Sequence, residues 1–134
     1  MRFVDANVFV YHMEQDPRRG ETATAIIKKI EKGEQAATST LVISQVCGYL
    51  KWKKRPDVIP SFLAFLRSLP NVIKVDTTFT DFVQAQEFCV KHSVDWELWD
   101  DLIIAVQMKR LKTDEIYSDD VDFDHIPGIK RIFK

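Results

Sequence analysis

Only two cysteines occur among the 134 residues, Cys47 and Cys89. They form no Cys-x-x-Cys pair, and each stands in an apolar-patterned segment. Both therefore read as reduced small hydrophobes rather than as a disulfide or a thiolate metal site. The three histidines, His12, His92 and His125, are dispersed, and a lone histidine is seldom a ligand. No stretch approaches the ~20 apolar residues needed to span a bilayer, and Asp5 and Asn7 interrupt the opening apolar run, so no secretory signal pattern is present. An intracellular, cytoplasmic protein is expected. Charge of one sign is also lacking: 19 Lys and Arg against 20 Asp and Glu leave a formal net charge of −1. Any contact with nucleic acid must then come from a local patch. Repeats, low-complexity tracts and linkers are missing as well, so residues 1–134 read as a single domain.

What the chain does have is alternation. Arg2 to Val4 reads as a strand, followed by a short helix over Asn7 to Met13. The spacing of Ala25, Ile26 and Ile30 predicts a helix from Glu21 to Lys32, stopped by Gly33. Gln35 to Thr38 reads as a strand leading to Ser39 or Thr40 as the cap of a helix reaching about Lys54. Pro56 and Pro60 open the next helix, and Pro70-Asn71 breaks it. Its stripe of Phe62, Phe65, Leu66 and Leu69 reads as core. Val72 to Val75 is a strand, Thr78 or Thr80 caps a helix to about Lys91, and Asp95 caps one ending near Lys112. Glu115 to Tyr117 and Lys130 to Phe133 complete the strands. This order predicts an α/β fold with a mostly parallel sheet of about five strands flanked by helices.

Three short apolar segments meet carboxylates: Phe3-Val4-Asp5-Ala6-Asn7, Asp100-Asp101-Leu102-Ile103-Ile104-Ala105, and Ile116-Tyr117-Ser118-Asp119-Asp120-Val121-Asp122. A buried aspartate is costly unless its charge is compensated. In open parallel sheets ligands bind outside the carboxyl ends of the strands, where Asp5 and Asp120 with Asp122 fall. Asp100 reaches the same edge if the crossovers have the usual hand. At ~5 Å and an effective dielectric of ~20, each carboxylate pair repels by roughly 3 kcal/mol, and a shared cation relieves several pairs at once. Oxygen-only donors point to Mg²⁺ or Mn²⁺ rather than Zn²⁺. Taken singly, each aspartate has a structural reading as turn former or helix cap, and Asp101, Asp119, Asp124 and Glu97 read as solvated surface.

The motifs together resemble a PIN domain, the small nuclease fold of VapC-type toxins in bacterial and archaeal toxin–antitoxin pairs. The resemblance covers essentially the whole chain and rests on Phe3-Val4-Asp5-Ala6-Asn7-Val8-Phe9, Thr38-Ser39, Asp100 to Ala105 and Ser118 to Phe123. It implies a three-layer α/β sandwich and places the metal-binding acids on Asp5, Asp100 and Asp120, with Asp122 as an additional catalytic acid. Asp100 is selected over Asp101 because the family's aspartate stands five residues before Ala105. Ser118 stands where the family has Thr or Ser, and Asn7 is expected to orient the acids beside it. The implied activity is Mg²⁺- or Mn²⁺-dependent hydrolysis of RNA, with a homodimer and a cognate antitoxin as implied partners.

One position departs from the pattern. Six residues after Ser39 the family usually has glutamate, and this chain has Gln45. Glutamine keeps an oxygen but removes a charge, so a catalytically weakened RNA- or protein-binding module stands as the alternative. Glu97, one helical turn before Asp100, is a possible replacement charge. Lys51, Lys53, Lys54 and Arg55 cluster with Tyr49 and Trp52 at the end of the third helix, and Gln45, Tyr49 and Trp52 share one helical face. That combination suits phosphate contact and base stacking, although cations also favour a helix's last turn and aromatic stripes often pack in cores. Trp96 and Trp99 read as packing or as the rim of the site. Another aspartate-using α/β protein, such as a receiver or a HAD-like phosphatase, fits poorly. The first strand ends in Asp5-Ala6-Asn7 rather than Asp-x-Asp, and neither an early acidic pair nor a matching late lysine accompanies Asp76.

Overall fold

Short runs of β-branched and aromatic residues alternate with amphipathic segments along the chain, and a computed structural model describing residues 1–134 shows how these pack. The strands are β1 (Arg2–Val4), β2 (Ala36–Ser39), β3 (Val72–Val75), β4 (Glu115–Tyr117) and β5 (Lys130–Ile132). The helices are α1 (Ala6–Glu14), α2 (Gly20–Glu31), α3 (Thr40–Trp52), α4 (Ile59–Arg67), α5 (Phe79–His92) and α6 (Trp99–Arg110). All strand pairs are parallel, in the order β3-β2-β1-β4-β5. Phe3 is flanked in register by Ala37 and Ile116.

This order decides where a ligand goes. From β1 the chain builds outward through β2 to β3, then crosses back to place β4 and β5 on the other side of β1. The connections that follow β1 and β4 therefore diverge, opening a crevice at the carboxyl ends of those two neighbours. β1, β2 and β4 supply fully buried residues (Phe3, Val4, Ala36, Ala37, Ile116, Tyr117) to a core shared with Val8, Ile26, Val42, Val46 and Phe62 from the helices. α6 is buried on nearly every side, with Leu102 to Met108 all inside. Its Ile104, Ala105 and Met108 join the main core, while Leu102, Ile103 and Val106 pack with Ala85 and Cys89 of α5.

The expected boundaries hold within a residue or two, with two instructive exceptions. The Pro56 segment first makes a separate 3₁₀ turn, Pro56–Val58, before α4 begins at Ile59. Asp95 likewise caps a 3₁₀ turn, Trp96–Leu98, and not α6 itself. Elsewhere the caps are as read: Ser39 accepts from the Val42 N–H, and Thr78 forms a reciprocal capping box with Asp81. Gly33, at φ +112°, ends α2 in a conformation that side chains resist. Phe62, Leu66 and Leu69 are buried, Phe65 packs against the same core at partial exposure, and both cysteines are free thiols. No helix is long and apolar enough to cross a membrane.

Candidate metal centre

Asp5 follows β1 directly and is both the cap of α1 and a nearly buried carboxylate, 6% exposed. Both of its oxygens accept hydrogen bonds. Oδ1 accepts from the Ala6 N–H at 2.8 Å, and Oδ2 accepts from the Ser118 hydroxyl at 2.7 Å and the Asn7 amide at 3.1 Å. Ser118, completely buried after β4, accepts in turn from the Asp120 N–H at 3.0 Å and from Asn7 Nδ2 at 3.1 Å. Asn7 Oδ1 accepts from the Asp119 N–H at 3.1 Å, and Asp120 Oδ1 from the Asp122 N–H at 3.0 Å. Two residues read from sequence as orienting groups, Asn7 and Ser118, thus bridge the ends of β1 and β4. Asp119 is turned into an ion pair with Arg19.

Four carboxylates gather around this bridge. Oxygens of Asp101, Asp120 and Asp122 lie within 4.8 Å of one another. Burial, reinforced by the charges of Asp120, Asp5, Asp122 and Asp100, pushes the Asp101 carboxyl up to about 7. Burial also raises Asp5 above the ordinary aspartate range, and Asp120 adds to this, while the hydrogen bonds from Ser118 and Ala6 oppose it. The adjoining cavity, about 650 Å³, is lined by Asp5, Glu14, Asp16, Glu97, Asp100, Asp101 and Asp120 and by no lysine, arginine or histidine. The three carboxylates at mutual ligating distance, in a cavity whose lining holds no cation, fit a hard divalent cation.

The three carboxylates at mutual ligating distance are Asp101, Asp120 and Asp122, where the resemblance implied Asp5, Asp100 and Asp120 as the metal-binding acids. Asp101, read as surface, is the α6 aspartate that joins the cluster, whereas Asp100 is exposed and lines the cavity at its edge. Counting back from Ala105 cannot see which side of the first helical turn faces the sheet; Asp101 stands one turn before Ile104 and Ala105, which do. Gln45 and Glu97 both line the cavity. Trp99 lines it too, stacked on Phe82 at 6.4 Å. Val10, Tyr11, Glu14 and Asp16 were not anticipated. The signal was there, since Asn7, Val10, Tyr11 and Glu14 have the spacing of one helical face. Of the α3 cluster, Tyr49 reaches the cavity, while Lys51, Lys53, Lys54 and Arg55 stand outside it. His92 and His125 line a separate cleft that Glu97 and Asp122 share.

The fold has clear relatives among solved structures. VapC20 of Mycobacterium tuberculosis, titled a sarcin-ricin loop cleaving toxin, superposes with a TM-score of 0.81 at 19% identity, with 100% of both chains covered. VapBC2 of Rickettsia felis, bound to a DNA fragment from its promoter, gives 0.69 at 16% identity over 98% of this chain and 96% of that one. A toxin–antitoxin complex from Klebsiella pneumoniae gives 0.62 at 15% identity, covering 97% and 96%. Comparison with curated protein sequences returns no match. At identities this low the superpositions establish the fold. Kinship comes from the sequence itself: a family model for the PIN domain matches residues 2–129. The chain belongs to the PIN-domain family.

Proposed function

We propose that this protein is a divalent-metal-dependent endoribonuclease, the toxin of a toxin–antitoxin pair, with Asp5, Asp101 and Asp120 holding the cation and Asp122 and Asp100 beside them. The observation that carries this reading is the convergence of carboxylates from β1, α6 and the segment after β4 in a cavity with no cation of its own. When bound there, Mg²⁺ or Mn²⁺ supplies polarisation of a phosphoryl oxygen and makes water a competent nucleophile at neutral pH. The chain's part is orientation. Ser118 and Asn7 hold the Asp5 carboxylate in one rotamer, and the Ser118 hydroxyl fixes the backbone that carries Asp120. Family membership supports phosphodiester hydrolysis. The structural likeness to toxins and their antitoxin complexes supports an antitoxin partner, and the resemblance adds a homodimer.

Gln45 motivates the second reading, a weakened PIN domain that binds RNA or protein without cutting it. It lines the cavity among the acids and contributes no charge. Cleavage of a structured RNA, assayed with Mn²⁺ and with EDTA, separates the two. The expected result is metal-dependent cleavage by the wild type, abolished by Asp5→Asn and raised by Gln45→Glu. An inactive wild type rescued by Gln45→Glu favours the second reading, and cleavage undiminished in Asp5→Asn rejects the site.

A further inference from the structure

A polyanion has to approach a cavity lined by seven carboxylates, so free cations outside its walls matter. A group of free cations joined to aromatic rings lies at the end of α3. Tyr49 lines the cavity, its hydroxyl donating to Glu14 at 2.8 Å, which fixes the ring at the rim. Trp52 lies beside it, ring centres 6.0 Å apart, and is 74% exposed. Lys53 Nζ stands over both rings, 5.9 Å from Tyr49 and 5.5 Å from Trp52. Lys51 and Lys54 are exposed on either side, and none of the three lysines has an ion-pair partner, while Arg55 pairs with Asp57. The cavity's other aromatic edge, Trp96 with Trp99, is embedded among Asp95, Glu97 and Asp100 and would repel phosphate.

We infer that the end of α3 is a stacking platform for an unpaired nucleotide of the RNA substrate. Trp52, backed by Tyr49, takes the base, and Lys51, Lys53 and Lys54 take the flanking phosphates. This rests on the ribonuclease reading and deepens it, because it names the surface of this chain that grips the RNA beside the cavity. Stacking tolerates any base, so the platform selects strandedness rather than sequence. A base inside a duplex has no free face to offer.

The test is affinity for a short fluorescent single-stranded RNA at low salt in EDTA, read by anisotropy, so that binding is measured apart from cleavage. Trp52→Ala is expected to weaken binding about tenfold, and Trp52→Phe to keep most of it. Changing the three lysines to alanine should reduce the slope of log affinity against log salt by about 2. The same sequence as a duplex should bind more weakly and be indifferent to Trp52. Unchanged affinity in Trp52→Ala, absence of binding by the wild type, or equal binding of duplex overturns the proposal. So does a Trp52→Ala protein that loses self-association or antitoxin binding while its RNA affinity stays constant. RNA held through Trp52 but never cut with Mn²⁺ defeats the ribonuclease reading and leaves the platform standing. RNA cut normally with no dependence on Trp52 does the reverse.

Discussion

Asp101 stands three residues before Ile104, four before Ala105 and seven before Met108, all of which pack into the main core. It therefore lies on the stripe of α6 that faces the sheet, and its carboxyl meets Asp120 and Asp122 where that stripe emerges at the crevice. Asp100, one residue earlier, is rotated by about 100° and opens to solvent. The expected outcome is that Asp101→Asn lowers Mn²⁺ affinity and RNA cleavage at least about a hundredfold. Asp100→Asn should cost roughly tenfold or less, since it removes charge from the rim only. Calorimetric titration with Mn²⁺ checks the binding half, and equal losses in both variants would refute the assignment. Asp5 was legible in the sequence because a carboxylate ending an apolar strand has one place to go, whereas Asn7 and Ser118 were read from the family resemblance. The α6 pair was not, because two adjacent aspartates differ only by a rotation that the preceding 3₁₀ turn, Trp96–Leu98, helps to set.

At the level of elements, α6 is tied to α5 and α3 by a buried polar knot. Asp81, 1% exposed, accepts from Arg110 at 2.9 Å and from Gln107 at 3.2 Å. Gln107 Nε2 also donates to the Thr77 hydroxyl at 2.7 Å, which accepts from the Leu41 N–H at 3.0 Å. Removing the carboxylate takes one acceptor from Gln107 and the ion-pair partner from Arg110. Asp81→Ala is expected to cost about 2–3 kcal/mol, less than the loss of a fully buried pair because Arg110 reaches solvent. Urea unfolding measures it, and a loss under about 0.5 kcal/mol would show that water replaces the knot. Sequence reading found half of this device. Thr78 announced itself as a cap, but the partners of Asp81 lie 26 and 29 residues away on another helix. The strands and helices were legible because each is short, amphipathic or uniformly apolar, and punctuated by Gly, Pro or a capping hydroxyl. What failed was the start of α6, where a 3₁₀ turn carries the same residues that a helix would.

For the whole molecule, the carboxylate cluster makes stability depend on pH and on cations. Asp101 ordinarily releases its proton near 3.8, but in the fold holds it until about 7. Between those values the unfolded chain binds fewer protons than the folded one, so this group's contribution falls as pH rises through the window and is constant above it. Asp5, shifted in the same direction, adds to the slope. In EDTA the wild type should lose Tm between pH 5 and pH 8 by more than Asp101→Asn does. Mn²⁺ should restore it at pH 8, by up to about 2.7 kcal/mol at a hundred times the dissociation constant, with little effect at pH 5. Scanning calorimetry at the two pH values decides the matter. Parallel pH curves for wild type and Asp101→Asn would dissociate the cluster from the stability profile.

The hydrogen bond from Ser118 to Asp5 joins residues 113 apart in the chain. Its geometry depends on β4 lying against β1 and β5 against β4, where the Ser118 N–H donates to Ile132. A contact that closes so long a loop costs more chain entropy than a local one, so it forms late in folding. Until β4 docks on β1, Asp5 stands without the hydroxyl that orients it. The acidic pocket is therefore a product of the finished sheet, and a partly assembled sheet has no such pocket.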